Sequence, residues 1–580
     1  MTIFDVLTLI GGLCLFLFGM NVMGDGLERR AGNGLKTLLG KLTGSKIKGF
    51  LTGLAVTAVI QSSSATTVMV VGFVNSKIMT LRQSIGVIMG ANIGTTVTAW
   101  ILSLGGISSD NVFMKLLKPT SFTPVLALIG TVLWMFSRSA KKKDVGTILL
   151  GFATLMFGMD TMSSAVAGLA DVPAFRNLFL LFENPTLGVI VGAVLTAVIQ
   201  SSSASVGILQ ALSATGAVSY GAAVPIIMGQ NIGTCVTALL SSFGTNKNAK
   251  RAAVVHLAFN VIGTVIWLTV FSIISATLKP AILDESASYL GIAVAHSLFN
   301  VLCTAVLLPS SAILEKIAYK IVPEGKGADK SVELDDRLLA TPTIALAESR
   351  ALVCKMAHKA VEGFKLSLSL TDKFDNKLGE TVHLIEEETD HYEDVLGTYL
   401  TKITGHHLGE DDSAEMSKLL KVIGDFERIS DHSVNILESA EELREKGIEL
   451  SADAKKELGT LISATSEILD ITLTAFENDN TDAAYCVEPL EQVIDKLKER
   501  LRDSHIVRLR NGDCTVEAGF IWSDLLTNLG RTSDHCSNIA ACVIDAKEQN
   551  LNLHESLRDM KNDSPYFKEQ YAIYAEKYLG

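Results

Sequence analysis

Two short stretches place consecutive polar side chains inside apolar sequence. The segment TAVIQSSSATT runs from residue 57 to 67, and TAVIQSSSASV runs from 196 to 206. A single serine in an apolar span usually mediates helix packing, but Gln-Ser-Ser-Ser cannot turn all four side chains toward one neighbouring helix. Because buried polar groups need hydrogen-bond partners, we expect a bound ion or substrate to supply them. The two copies together indicate one binding site.

A second polar block follows each stretch, IMGANIGTTVTA at 88–99 and IMGQNIGTCVTA at 227–238. Neutral oxygens without a cage of carboxylates suit Na⁺, and N–H and O–H donors at the start of a half-helix suit an anion. Gly90 and Gly229 are expected to let these helices unwind and expose carbonyl groups. The residues expected to bind the anion and Na⁺ are Gln61, Ser62, Ser63, Ser64, Thr66, Asn92, Thr95, Gln200, Ser201, Ser202, Ser203, Asn231 and Thr234.

Two histidines lie in the later apolar segments, each followed four positions on by an asparagine. His256 precedes Asn260, and His296 precedes Asn300. Ionisable groups inside a membrane are costly and often functional. A supporting role at the site and a hydrogen bond that only packs helices are equally compatible with the pattern. By contrast, Asp25 and Asp160 lie toward the ends of their spans, and we interpret them as interfacial groups.

The first part of the chain is an internal duplication. TAVIQSSSA at 57–65 returns at 196–204, the second polar block returns with ten of twelve positions identical, and FGM at 18–20 returns at 157–159. All three pairs share an offset of 139 residues. Self-similarity at one fixed offset indicates repeated structural units.

The apolar segments predict a membrane region with two hairpins. Seven are near the roughly 20 residues that a bilayer requires: 3–28, 83–103, 120–137, 145–168, 222–243, 252–277 and 287–310. The segments 49–76 and 188–217 are each interrupted by QSSS, so we predict re-entrant hairpins with QSSS at the tip, lining a polar cavity. Three spans separate the repeat starts. An odd number inverts the second copy, so the hairpins should enter from opposite faces.

Charge divides the chain into two parts. Residues 1–320 contain 21 Lys and Arg against 11 Asp and Glu, whereas the remainder contains 29 against 51. Basic residues follow the first, third and fifth spans, which predicts an external N-terminus and a cytoplasmic C-terminal region. We predict a membrane domain at 1–320, with repeats at about 1–138 and 139–278 and an extra span at 287–310. A linker at 321–338 and a cytoplasmic helical domain at 339–580 follow.

Other classes of protein are not favoured. The opening segment lacks a basic n-region, so we interpret it as a retained span and not a signal peptide. Eight cysteines without a C-x-x-C pair give little support to a disulfide framework or a zinc site. No basic, aromatic-interleaved segment indicates nucleic-acid binding. An enzyme is disfavoured because the triple serines lack a general base at suitable spacing.

The membrane region resembles the type II sodium–phosphate cotransporters. The resemblance is carried by the paired QSSS motifs at 61–64 and 200–203, the two NIGT blocks and the two His-to-Asn segments. It covers about residues 1–320. It implies an all-α, polytopic transporter of inverted repeats in which the hairpin tips bind inorganic phosphate and the coupling ion Na⁺.

The C-terminal region is similar to the PhoU family. DFERISDHSVNI at 425–436 returns as NLGRTSDHCSNI at 528–539, an offset of 103. That family uses acidic pairs four residues apart to hold metal ions, which implies a divalent-metal site here. A solvated acidic face, or an Asp-Arg-His network that holds helices together, is at least as good an interpretation, and Gly530 breaks the fourth pair. The candidate metal ligands are Glu386, Asp390, Glu427, Asp431, Glu491, Asp495 and Asp534.

Together these patterns predict a sodium-coupled symporter of inorganic phosphate in the plasma (inner) membrane, working by alternating access, with a PhoU-like regulatory bundle. A membrane-tethered phosphate sensor and a transporter of another oxyanion are the alternatives. The sequence leaves open whether the partner is a second copy of the chain, as a homodimer, or a phosphate-signalling protein.

Overall fold

The computed structural model describes the chain except residues 1–2, 41–44, 77, 107–118, 169–183, 325–333, 407 and 549–564. The described residues form α-helices and short 3₁₀ turns. They divide into two compact units, Met1–Ile344 and Ala345–Gly580. The predicted linker at 321–338 lies partly outside the described residues, and its described end, from Leu334, belongs to the first unit.

The first unit contains both repeats. Its helices are α1 (Ile3–Gly40), α2 (Lys46–Ile60), α3 (Ser63–Asn75), α4 (Leu81–Gly94), α5 (Thr96–Ser103), α6 (Pro119–Phe136), α7 (Ala140–Ala167), α8 (Pro185–Ile199), α9 (Ser202–Ser213), α10 (Tyr220–Ser241), α11 (Lys247–Thr277), α12 (Tyr289–Leu307) and α13 (Ser311–Ile321).

Six apolar segments among the described residues are long enough to cross a membrane. They are Ile3–Ala31, Leu81–Gly106, Ala140–Ala167, Tyr220–Ser241, Lys247–Thr277 and Tyr289–Leu307. The seventh predicted span, 120–137, corresponds to the shorter apolar helix α6. The two predicted hairpins are present as the helix pairs α2–α3 and α8–α9, which we name hairpin 1 and hairpin 2.

Glycines allow the first helix of each hairpin to pack closely on the helix that follows the whole hairpin. These helix pairs are α2 with α4 and α8 with α10. A Cβ on Gly90 of α4 would lie 2.0 Å from the Phe50 carbonyl oxygen, and a Cβ on Gly229 of α10 would lie 2.0 Å from that of Val189. The expectation that these glycines unwind their helices is wrong, because α10 is continuous and α4 passes into α5 through Thr95 in a helical conformation. The glycines permit close backbone contact instead.

A buried polar cluster lies at the far end of hairpin 1. Asn75, the last residue of α3, donates a 2.7 Å hydrogen bond to Asp335, and Arg337 contacts both carboxylate oxygens of Asp335 at 3.0 Å. The same guanidinium donates to the Phe243 carbonyl beyond the end of α10 at 2.9 Å. Asn75 and Asp335 are almost fully buried. We name Asn75, Asp335 and Arg337 the clasp, since they join the segment before α14 to both repeats.

The second unit is a bundle of long helices. They are α14 (Pro342–Leu370), α15 (Asn376–Thr404), α16 (Glu410–Glu445), α17 (Ala452–Asn478), α18 (Thr481–Asn511), α19 (Val516–Glu548) and α20 (Pro565–Leu579). Helix α15 packs on α16 and α18 packs on α19, while α16 and α19 pack on each other. These last two helices carry the two SDH copies, so the internal repeat brings its halves together at the centre of the bundle.

Candidate functional site

The tips of the two hairpins have nearly identical backbones. Helix α2 ends at Gln61, whose φ of 59° and ψ of 22° are left-handed, and α8 ends at Gln200 with 58° and 21°. A left-handed residue commonly ends a helix, although a non-glycine residue there is uncommon. Ser62 and Ser201 then cap α3 and α9, each accepting a backbone hydrogen bond from the alanine three residues on. The QSSS sequence therefore encodes one helix end and one helix start.

Both tips line one cavity of about 410 Å³. The hydroxyl of Ser64 donates to the Gln200 carbonyl oxygen at 3.5 Å, so the two copies contact each other across it. The residues that line the cavity are Leu17, Met20, Asn21, Gly24, Asp25, Glu28, Ile60, Gln61, Ser62, Ser63, Ser64, Ala65, Ile199, Gln200, Ser201, Ser202 and Ser203. All eight QSSS residues thus meet at one place.

The cavity offers unused hydrogen-bonding groups. Ser63, Ser202 and Ser203 are each more than nine-tenths buried, and their hydroxyls make no hydrogen bond with the described residues. Helices α3 and α9 both begin at the cavity wall, so their N-terminal N–H groups and positive dipole ends face an anion placed there. Hydroxyl donors and two helix N-termini together suit a small, highly charged oxyanion.

Helix α1 contributes three polar residues that sequence reasoning missed at this site. Asn21, Asp25 and Glu28 follow one another along one face of α1 and line the cavity. Asp25, which we interpreted as an interfacial group, thus also lines the cavity. Asp25 and Glu28 lie near the end of the first apolar segment, directly before Arg29 and Arg30, so the sequence alone did not assign them to the cavity.

The remaining predicted ligands lie behind the cavity wall. Thr66 bonds to the Thr57 hydroxyl at 3.0 Å. Asn231 donates to the Ile227 carbonyl within its own helix. Thr66, Asn92, Thr95, Asn231 and Thr234 are all buried, and none is among the described residues that line the cavity.

The two His-to-Asn segments differ in their surroundings. The Nε2 atom of His256 lies 3.4 Å from the Asn92 amide oxygen, and the Asn92 amide donates to Asn260 at 3.3 Å. This network joins α4 to α11. On α12, Asn300 donates to the His296 carbonyl, and both ring nitrogens of His296 are buried without a hydrogen bond to the described residues. Neither histidine is among the described residues that line the cavity.

The acidic pairs of the second unit form two unequal groups. Burial and the nearby Asp431 raise the pKa of Glu427 to about 7, and burial, Asp431 and Asp390 raise the pKa of Glu386. These four carboxylates, including Asp390, therefore lie close together. Within the described residues, no three His, Cys, Asp or Glu side chains are arranged to hold a metal ion.

The second acidic group contains a cation of its own. The Lys498 ammonium pairs with Asp495. A Cβ on Gly530 would lie 2.9 Å from the Lys498 side chain, so the missing side chain at this broken pair makes room for the lysine. Asp534 lies 3.9 Å from Arg531. The remaining predicted metal ligands are Glu491, Asp495 and Asp534. Lys498 pairs with Asp495 and Arg531 pairs with Asp534, so basic side chains neutralise part of the negative charge of this group.

Comparisons with known proteins assign both regions. Residues 15–164 and 155–295 each match the model of the Na⁺/Pi-cotransporter family. Residues 353–440 and 458–543 each match the PhoU domain. Each family model therefore matches twice, as the two internal duplications require.

Relatives are similar over different parts of the chain. A protein of Salmonella typhimurium strain LT2, named as a candidate inorganic phosphate export protein, YjbB, is 22% identical over 94% of this chain and 98% of its own length. The rat sodium-dependent phosphate transport protein 2A is 36% identical over 23% of this chain and 22% of its own length. The PhoU structure from Streptococcus pneumoniae aligns with 36% of this chain and 99% of its own length, at 16% identity and a TM-score of 0.33.

The matched ranges agree with the observed architecture. The Na⁺/Pi-cotransporter matches span the apolar helices and both QSSS hairpins, and the PhoU matches fall within the long-helix bundle. The protein is therefore a multi-pass membrane protein of the phosphate-transporter family, with a duplicated Na⁺/Pi-cotransporter domain followed by two PhoU domains.

Proposed function

We propose that the protein couples the movement of inorganic phosphate to that of Na⁺ across the plasma membrane, with the PhoU region as its regulator. The observation that carries the proposal is the single cavity lined by both QSSS tips. Phosphate accepts hydrogen bonds from the serine hydroxyls and from the first N–H groups of α3 and α9. Gln61 and Gln200, which end α2 and α8 at the cavity, supply further polar groups.

Inverted repeats give this site a route to both faces of the membrane. Hairpins that enter from opposite sides and meet near the midplane allow one repeat to rock against the other around a fixed site. The charge pattern supports an N-terminus outside and a cytoplasmic PhoU region. Five further polar residues lie behind the cavity wall and stabilise the positions of the hairpin tips: Thr66, Asn92, Thr95, Asn231 and Thr234. His256, Asn260, His296 and Asn300 support the surrounding helices.

Phosphate flux in proteoliposomes tests the proposal. We expect uptake of labelled phosphate to require an inward Na⁺ gradient and to disappear when K⁺ replaces Na⁺. The Gln61→Ala and Gln200→Ala variants should each lower the initial rate by more than about tenfold, a loss above about 1.4 kcal/mol. Thr52→Val, on α2 but away from the tip, is the matched control. Wild-type rates in both glutamine variants would contradict the assignment of the site.

A membrane-tethered phosphate sensor is the second candidate, favoured by the two PhoU domains. A sensor would bind phosphate without net transport, so a saturable binding signal with no flux would select it. Competition by sulfate and arsenate in the same assay tests the third possibility, that another oxyanion is the substrate.

A further inference from the structure

We propose that Asp25 of α1 binds a coupling Na⁺ in the hairpin cavity and sets the sodium affinity of transport. This inference rests on the sodium-coupled phosphate transport proposed above. It assigns the cation a specific anionic ligand outside the QSSS motifs.

The lining of the cavity is negatively charged. It includes Asp25 and Glu28, and among its described residues it has no Lys, Arg or His. Like charges repel each other, and the repulsion is stronger where little water screens them. The Asp25 carboxylate therefore opposes phosphate in the cavity, and a cation bound beside it would reduce this repulsion.

The carboxylate of Asp25 has no partner among the residues that the structure describes. It makes no ion pair or hydrogen bond with the described residues, whereas Asp144 on α7 pairs with Arg29 at 3.0 Å. The side chain of Asp25 is exposed and lines the cavity, so its carboxylate is accessible to a cation there. A bound cation would neutralise its charge.

The same cavity supplies further oxygen atoms. Ser63, Ser202 and Ser203 line it, are more than nine-tenths buried, and make no side-chain hydrogen bond with the described residues. Hydroxyl and carboxylate oxygens are hard ligands, which suit a hard cation such as Na⁺. The unpaired hydroxyls of these buried residues point to a ligand independently of the carboxylates.

The second repeat lacks this feature. By the 139-residue offset, Asn21, Asp25 and Glu28 correspond to Asp160, Ser164 and Ala167 of α7. None of the three α7 residues is among the described residues that line the cavity. The negative charge thus enters from one repeat alone, and Asp160 offers a matched acidic control on the equivalent helix.

The test is the Na⁺ dependence of phosphate uptake in proteoliposomes containing the full-length protein. Asp25→Asn should raise the Na⁺ concentration for half-maximal rate by about tenfold or more, whereas Asp25→Glu should bring it back toward the wild-type value. The KM for phosphate at saturating Na⁺ should change by less than about twofold, and Asp160→Asn should match the wild type. A tenfold shift corresponds to about 1.4 kcal/mol.

Asp25→Ser, which installs the residue of the second repeat, is the second neutral variant if the asparagine variant does not fold. An unchanged Na⁺ dependence in a folded neutral variant overturns the inference and leaves sodium-coupled transport standing. A shift in pH dependence alone overturns it as well. Loss of Na⁺-dependent flux in the wild type itself would instead refute the proposed function.

Discussion

Hairpins 1 and 2 share a sequence and a backbone, yet their polar groups are satisfied to different degrees. In hairpin 1, Thr57 and Thr66 bond to each other, and Thr98 donates to the Gln61 amide oxygen at 2.9 Å. The matching residues of the second repeat are Thr196, Ser205 and Thr237. Their hydroxyl oxygens are buried without a hydrogen bond to the described residues.

The two tip glutamines also differ, because the one in hairpin 1 is buried and the one in hairpin 2 is exposed. Gln61 is 5% exposed and bonded within hairpin 1, whereas Gln200 is exposed. The clasp also holds the end of α3 through Asn75. Hairpin 1 is thus preformed, while hairpin 2 has buried polar groups that a ligand or another conformation would satisfy. Equal sequence gives an equal backbone, but the neighbouring helices decide what that backbone can bind.

The largest expected effect tests what the two hairpins share. Gly90→Ala and Gly229→Ala should destabilise the protein equally, by about 3 kcal/mol or more, because each new methyl group meets a backbone carbonyl that cannot move aside. The yield of monodisperse protein and its thermal unfolding in detergent measure this. Gly11→Ala, on α1 with nothing within 4 Å of the new methyl group, is the control. A large difference between the two variants would show that the scaffold is not symmetric.

The second largest effect concerns the clasp, which contacts hairpin 1 through Asn75. Arg337→Ala removes the guanidinium from Asp335, which is 1% exposed. Removing one partner of a buried ion pair costs about 3 kcal/mol, because the other charge stays buried. The measurement is again thermal unfolding, with Arg82→Ala on the exposed face of α4 as the control. Equal stability of the two variants would mean that the clasp does not hold hairpin 1.

A smaller effect compares the hydroxyl pairs directly. Thr66→Val leaves the Thr57 hydroxyl buried without its partner and should cost about 1–3 kcal/mol. Ser205→Ala removes a hydroxyl that has no partner among the described residues, so its cost should be below about 0.5 kcal/mol. Unfolding of the two variants side by side gives the contrast. Equal losses would show that hairpin 2 satisfies its hydroxyls by other means.

The smallest expected effect compares the two repeats of the PhoU region at one position. Glu427 has a pKa near 7 through burial and Asp431, and its counterpart by the 103-residue offset is Gly530. Since the folded-state pKa is raised, the stability that Glu427 contributes is complete below about pH 4.5 and is lost as the pH rises toward 7. Glu427→Gln should therefore flatten the fall in unfolding midpoint between pH 5 and pH 8. Glu445→Gln, exposed on the same helix, should keep the wild-type slope.

The regular features of the fold could be predicted because they depend on local sequence. The fixed offset gave the duplication, and half-length apolar flanks around QSSS gave both hairpins. A period near 3.6 residues gave the helical bundle. The features that were predicted wrongly depend on contacts between residues far apart in the sequence. The glycines Gly90 and Gly229 were expected to break helices, yet they serve contacts with Phe50 and Val189, residues about forty positions away.

The candidate site was predictable only in part. The eight QSSS residues meet at the cavity, as their pairing indicated. Nothing in the hairpin segments named Asp25, because it reaches the cavity through the packing of α1 against the hairpins. Likewise, no pattern showed that Asn92 bonds to His256, more than 160 residues later.

The sequence by itself determined the elements, the duplication and the polar character of the hairpin tips, since these follow from the order of apolar and polar residues along the chain. The tertiary structure alone decided which groups are satisfied. It paired Thr57 with Thr66 and left Thr196 and Ser205 without partners among the described residues. It also brought the charge of Asp25 to the cavity. The physical reason is that hydrogen bonding and electrostatics depend on distances of a few ångströms between segments that the chain keeps far apart.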